Sequence, residues 1–274
     1  MCLTVSSDVK PDRRIRVLPF CPKVLAFHKL TPQFSFGSTN YSPRRFERLL
    51  AFLQSKEFVF QSLEASFSEN EPNTLAITFD DGYQHLADVL PPLMQKYRFQ
   101  PVVFLPTKYL GKANSWDYSH LFRSTPHLDS KSIKRLAALG VQFGSHGHSH
   151  VNLCRCNEKT LRHELNRSKA VLEDTLGTQV NCISYPFGRY NQKVLEAALE
   201  AGYTRGFTMR FPEDGDMALA IGRYAVYGYD TVSSVVRKLS GGPFYSVEKW
   251  KARLTNRLSD GSAIYNRLIR RQRC

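Results

Sequence analysis

The chain has 274 residues, 42% hydrophobic and 23% charged, which excludes a disordered or collagen-like polypeptide and fits a globular one. Lys and Arg number 38 against 24 Asp and Glu, a net charge of +14 that favours anionic partners such as phosphorylated sugar carriers, acidic lipid or nucleic acid. Nucleic acid is not expected, because no zinc-finger spacing, RNP-type motif or helix-turn-helix signature accompanies the charge.

Residues 1–20 mix charges and prolines into every apolar stretch, leaving neither a signal-peptide core nor a membrane-length run, so a cytoplasmic location is expected. They read as an N-terminal extension, followed by one domain over 21–240 and a basic helical extension over 241–274. The cysteines at 2, 21, 154, 156, 182 and 274 are scattered and form no Cys-x-x-Cys pair, so they read as reduced thiols.

Seven short β-branched or aromatic runs follow in order, most of them paired with a stretch of helical spacing. The first is Val24 to Phe27, with an amphipathic stretch from Arg44 to Leu53. Thr74 to Phe79 precedes a helix from about Gln84 to Tyr97, expected to kink at Pro91 and Pro92, and Pro101 to Leu105 is the third run. Helix Ser130 to Leu139 leads to Val141 to Gly144, and helix Glu158 to Leu176 to Asn181 to Tyr185. Helix Gln192 to Ala201 precedes Tyr203 to Met209, and Ala218 to Ala225 closes the series. Alternating strands and helices predict an α/β fold with parallel strands, a closed or nearly closed (β/α) barrel, with a doubly wound sheet as the alternative. No Gly-rich phosphate loop supports that alternative.

Polar residues cluster just past strand ends, where a barrel gathers its catalytic groups. His28 follows the first run and Asp80-Asp81 the second, while His146 and His150 follow the fourth. Alternation along the strand points the two carboxylates differently; the plain alternative is a helix cap with an extra acid. Two imidazoles four residues apart on the Gly144 to His150 turn suit one ion, and with a carboxylate from elsewhere they make three protein ligands and leave positions open for water. His148 is expected to point away from that ion.

The order TFDDGY at 78–83, SHGHSH at 145–150 and SYPFG at 184–188 resembles the polysaccharide deacetylase (NodB-homology) family, carbohydrate esterase family 4, over roughly residues 20 to 230. The resemblance implies a distorted, TIM-like barrel of about seven strands and removal of N-acetyl groups from an N-acetylated sugar. It implies Asp81, His146 and His150 as metal ligands, Asp80 as general base, and the backbone N–H of Phe187, with Tyr185, on the oxyanion or substrate side. Trp116-Asp117 resembles a position near the substrate groove. The implied cofactor is a divalent metal ion, with zinc the leading choice on ligand type.

Two departures shape the remaining assignments. Many family members have Arg where this chain has Ser184, and many supply a late His as the general acid, whereas no His follows His163. A subset instead ends its first strand in Tyr-His or Phe-His and carries a late Arg, which Phe27-His28 and Arg223 match. His28 is therefore expected as the general acid and Arg223 as the charge partner of Asp80; the plain alternatives are a hydrogen-bonded strand-end histidine and a surface salt bridge.

A two-His-one-carboxylate site also suits non-haem iron oxygenases, with His127-Leu128-Asp129 as their H-x-D, but that reading predicts an all-β jelly roll, and Asp129 reads better as a helix cap. A small-molecule amidase on the same fold and a catalytically degenerate sugar-binding protein are further alternatives. Phosphate- or lipid-linked carbohydrate is an attractive acceptor given the basic surplus. Trp250, Leu254 and Leu258 lie at helical spacing beside Lys251, Arg253 and Arg257; the stripe is expected to pack on the barrel, with peripheral contact to anionic lipid as the other hypothesis.

Overall fold

A computed structural model describes residues 14–32, 38–68, 71–113, 125–242 and 244–258. Seven strands pair in parallel: β1 (Val24–Phe27), β5 (Thr74–Phe79), β6 (Val102–Leu105), β7 (Gln142–Ser145), β8 (Cys182–Ser184), β9 (Arg205–Phe207) and β10 (Tyr224–Ala225). Their order is β10-β1-β5-β6-β7-β8-β9, and β4 (Val59–Phe60) adds in parallel to the start of β5. A small pair, β2 (Lys29–Leu30) and β3 (Asn40–Tyr41), lies apart from this sheet. The runs of β1 and β6 are buried at every residue, as strands covered on both faces require.

The sheet curls until its edges nearly meet. Ile221 N–H donates to the Gly206 carbonyl at 2.7 Å and Thr208 N–H to the Ile221 carbonyl at 2.9 Å, so the lead-in to β10 ties back to β9. Val24, Ala76, Val102, Phe104, Phe207 and Ile221 belong to one buried cluster. The last strand, expected over 218–225, is reduced to Tyr224–Ala225; a Cβ on Gly222 would lie 2.6 Å from Pro212, so the preceding chain folds against its own loop rather than running on as a strand.

Helices α1 (Pro43–Ser55), α2 (Leu86–Tyr97), α3 (Ser130–Ala138), α4 (Glu158–Leu176) and α5 (Gln192–Glu200) follow the expected amphipathic stretches, with Ser42, Asp129, Asn157 and Asn191 capping α1, α3, α4 and α5. Helix α2 runs as one element through Pro91 and Pro92. Pro91 has no N–H for the Ala87 carbonyl, and the Arg135 guanidinium from α3 donates to that oxygen at 2.9 Å instead. Helix α6 (Val232–Ser240) was not anticipated; it packs on α1 and α7 (Tyr245–Leu258).

The described residues at both ends pack on the domain. Within the expected extension 1–20, Ile15 and Leu18 are buried and Leu18 N–H donates to the Asp216 carbonyl, so this part is built into the domain. In α7 the face turned to the barrel carries Glu248 and Ala252, while Trp250 and Leu254 are 63% and 43% exposed. Trp250 and Leu254 of the stripe expected to pack on the barrel therefore face outward, because hydrogen bonds and ion pairs of the opposite face set the helix rotation. Among the described residues no helix is long and apolar enough to cross a membrane.

Candidate metal centre

Asp80 and Asp81 leave the end of β5, His146 the end of β7, and the turn after His146 brings His150 back over the same mouth. The turn from β5 into α2 depends on backbone that most residues avoid. Asp81 has φ +69° and Gly82 φ +58°, and a Cβ at Gly82 would lie 2.0 Å from Leu105 Cδ2. His150 and Phe187 are also left-handed, at φ +56° and +61°. Such conformations are held only where their surroundings over-determine them.

The surroundings of the 147–149 turn do so. The buried Glu164 carboxylate on α4 accepts from His148 N–H at 2.9 Å, Ser149 N–H at 2.8 Å and Ser149 Oγ–H at 2.5 Å. Ser168 Oγ donates to the Gly147 carbonyl at 3.0 Å. His148 sits 2.9 Å from Thr107 Oγ1 through Nδ1 and packs edge-on to His163, away from Asp81.

Asp81, His146 and His150 are buried, and one ligand atom from each lies within 4.8 Å of the others. His146 Nε2 is 3.6 Å and His150 Nε2 3.4 Å from the same oxygen, Asp81 Oδ1. His146 Nδ1 lies 2.6 Å from the Ser184 carbonyl, so it carries the proton and leaves Nε2 as a lone pair. Burial pushes both imidazoles below the ordinary histidine pKa, His150 strongly, so both are neutral near pH 7. A lone pair and a carboxylate oxygen that face each other with no proton between them repel, and a cation resolves the conflict. The donor set of two imidazoles and one carboxylate fits a divalent metal with open positions, zinc among them.

Beneath this mouth lies the other carboxylate. Arg223 Nη1 and Nη2 grip Asp80 Oδ1 and Oδ2 at 2.8 and 2.7 Å, and Ser184 Oγ donates to Oδ2 at 3.1 Å. The guanidinium also donates to Thr78 Oγ1 at 3.0 Å, Ser184 Oγ at 2.8 Å and the Thr208 carbonyl at 3.1 Å. It is wholly buried, beside the rings of Phe104 and Phe207. Burial alone would raise the Asp80 carboxyl; the charge and hydrogen bonds of Arg223 outweigh it and hold Asp80 well below the usual carboxylate range. Ser184 thus receives the guanidinium of Arg223 at the position where an arginine was the commoner expectation.

His28 follows β1 close to this group. Burial, only partly opposed by the charge of Asp80, lowers its pKa to about 4. Tyr185 is a correction: its ring is buried in the core and its hydroxyl donates to the Leu219 carbonyl at 2.8 Å, so the side chain takes no part in the mouth. Phe187, the next residue but one, packs edge-on to His150 with ring centroids 4.9 Å apart. Trp116 and Asp117 lie outside the described residues. Asp129 caps α3 by accepting from Ser132 N–H at 2.7 Å, so the H-x-D reading fails on the fold and on this residue alike.

Sequence reasoning set aside one residue of the mouth. His127 is buried, its Nδ1 lies 2.7 Å from the Asp81 carbonyl, and its ring stacks on Tyr83 at 4.9 Å. That carbonyl belongs to the left-handed Asp81, so His127 helps to hold the turn. The only signal in the sequence was its proximity to the cap Asp129. A cavity of about 820 Å³, lined by Phe60, Pro91, Pro92, Arg98 and Phe99 among others, opens at the opposite end of the strands and shares nothing with this chemistry.

Comparison with known proteins agrees with the geometry. The family described as Polysaccharide deacetylase matches residues 68–206. The Bacillus subtilis protein YxkH, named for that family, is 28% identical over 210 residues, 74% of this chain and 69% of its own. A poly-β-1,6-N-acetyl-D-glucosamine N-deacetylase of Staphylococcus aureus is 26% identical over 167 residues, 58% of this chain but only 54% of the relative's length. IcaB from Ammonifex degensii superposes with a TM-score of 0.69 at 21% identity, over 81% of this chain and 97% of its own. The Streptococcus pyogenes deacetylase PplD, solved in complex with acetate, gives 0.67 at 20% identity, over 82% and 99%. These two structures share the barrel.

Proposed function

The chain belongs to the polysaccharide deacetylase family, and from that premise we propose that it is a metal-dependent hydrolase that removes acetyl groups from an N-acetylated sugar, a GlcNAc-type polymer, oligosaccharide or glycan precursor. The observation that carries this reading is the convergence of Asp81, His146 and His150 immediately above an arginine-held Asp80. The staphylococcal relatives, named for a poly-N-acetylglucosamine substrate, support the substrate class. The net charge of +14 supports a phosphate-bearing or lipid-linked acceptor.

Asp81, His146 and His150 would hold the ion, with the Ser184 carbonyl orienting His146. When bound, a divalent ion there acidifies water and polarises an acetamide carbonyl. Arg223 and Ser184 fix the plane of the Asp80 carboxylate and keep it ionised, ready to accept a proton from the attacking water. The same pairing makes Asp80 a weak base that passes the proton on readily. His28 delivers a proton to the departing amine nitrogen, and because burial keeps it neutral above about pH 4, that proton reaches it during the reaction rather than being stored beforehand. The Phe187 N–H donates to the oxyanion, a task for which the left-handed backbone orients the peptide and the side chain matters little.

The test is acetate release from GlcNAc oligomers and from a nucleotide-linked GlcNAc by zinc-reconstituted protein. Release that a chelator abolishes and added ion restores is the expected result. Release indifferent to chelation, or none from any N-acetylated sugar, overturns the proposal.

A further inference from the structure

Helix α7 is locked in rotation by its inner face. Tyr245 packs edge-on to Phe211 with centroids 5.5 Å apart, and Asn256 donates to the Met209 carbonyl at 3.0 Å while accepting from the Tyr227 hydroxyl at 2.7 Å. Buried Glu248 pairs with Arg237 at 2.8 Å and Lys251 at 3.4 Å. With that side committed, the opposite side is held outward. Val247, Trp250 and Leu254, spaced three and four apart, are 43%, 63% and 43% exposed, and Phe244, just ahead of the helix with a left-handed backbone, is 68% exposed. Single exposed apolar residues are ordinary; three large ones on one helix face, with a fourth just ahead of it, are not.

The flanks of this face carry Lys251 and the exposed Arg253, and in sequence the helix is followed by Arg267, Arg270, Arg271 and Arg273 against a single acid, Asp260. The inner contacts also fix where the face lies, since Met209 and Tyr227 follow β9 and β10 at the strand ends that carry the metal centre.

We propose that the Val247, Trp250 and Leu254 face of α7 docks on an anionic phospholipid bilayer, with its apolar side chains at the acyl boundary and its cations among the headgroups, so that the barrel mouth is held close to the membrane surface. Charge complementarity selects this occupant over a second copy of the chain, whose equal net charge of +14 repels it, and over the chain's own arginine-rich tail. The inference does not depend on which reaction the mouth performs.

The full-length chain is sedimented with vesicles of phosphatidylcholine alone or mixed with phosphatidylglycerol, alongside a combined Val247→Ser, Trp250→Ser, Leu254→Ser variant and a single Trp250→Glu variant. All three positions are exposed, so thermal melting should be unchanged. Wild type should bind the anionic vesicles, less so as salt rises, and both variants should lose about tenfold or more in affinity. Wild-type tryptophan emission should shift to the blue on binding. The proposal is overturned if wild type ignores anionic vesicles at low salt, if the variants sediment as well as wild type, which would leave the tail charges alone responsible, or if the face proves to hold two copies together in gel filtration without vesicle binding.

Discussion

Asp80 and Asp81 are neighbours in sequence and opposites in electrostatics. Asp80 sits over the barrel interior, both oxygens taken by one guanidinium that is itself fully hydrogen-bonded. Asp81 turns to the mouth, where Oδ1 meets two neutral imidazoles, one of which has spent its proton on the Ser184 carbonyl. The first region is compensated within the chain by Arg223; the second gathers one carboxylate and two imidazoles that could hold a metal ion. One left-handed residue at the strand end separates a carboxylate that the protein satisfies from one that it offers to a ligand.

The widest effect should come from exchanging the two acids' roles by substitution. Asp81→Ala should lose bound metal and at least about 100-fold in turnover, because two imidazoles hold a labile divalent ion poorly. Asp80→Asn should keep the metal and lose about 10²–10⁴-fold in turnover, since the amide cannot accept the water proton. Metal content by mass spectrometry beside acetate release separates the two, and metal loss in both variants would erase the distinction.

A second measurement probes the interior. Arg223→Met leaves a buried, unpaired carboxylate and should cost about 3–5 kcal/mol of stability near neutral pH in denaturant unfolding. The sign with pH follows from the depressed Asp80 pKa. A group lowered on folding contributes stability that is present above its unfolded value, about 4, and lost as pH falls through the folded one. Wild type should therefore keep this contribution into acid, whereas the deficit of Arg223→Met should shrink as pH falls and Asp80 takes up a proton. A deficit independent of pH would mean that packing, not charge, is what Arg223 supplies.

The smallest change sharpens the mouth without touching a ligand. Glu164→Gln removes the charge that gathers His148 and Ser149, which should cost about 1.5–3 kcal/mol in stability and about 10–100-fold in metal affinity by competition with a chromophoric chelator. Full affinity with lowered stability would confine Glu164 to holding α4 against the turn.

Much of the frame was legible because its information is local. Apolar runs of four to six residues between amphipathic stretches, as at Val24–Phe27 and Thr74–Phe79, are too short for helices and read as strands covered on both faces. Helix α6 was missed although its signal is local: Val232, Val235, Val236 and Leu239 keep helical spacing between a Thr231 cap and Gly241. The two-residue strands β2, β3 and β4 carry too few positions for any period to show.

The sequence by itself determined the parallel α/β barrel, and its ordered motifs pointed to Asp81, His146 and His150, which the fold brings together at one mouth because they sit at strand ends whose position in a barrel follows from chain direction. Tertiary structure alone decided which way the remaining side chains point. Tyr185 turned inward because Leu219 offers its hydroxyl an acceptor inside the core. Arg223 could enter an apolar interior only because Asp80, 143 residues away in sequence, neutralises it there. The apolar face of α7 remained outside because Asn256, on the other side, donates to the Met209 carbonyl and accepts from the Tyr227 hydroxyl. In each case the deciding partner is remote in sequence, and the cost of burying an unpaired polar group, which no local pattern records, made the choice.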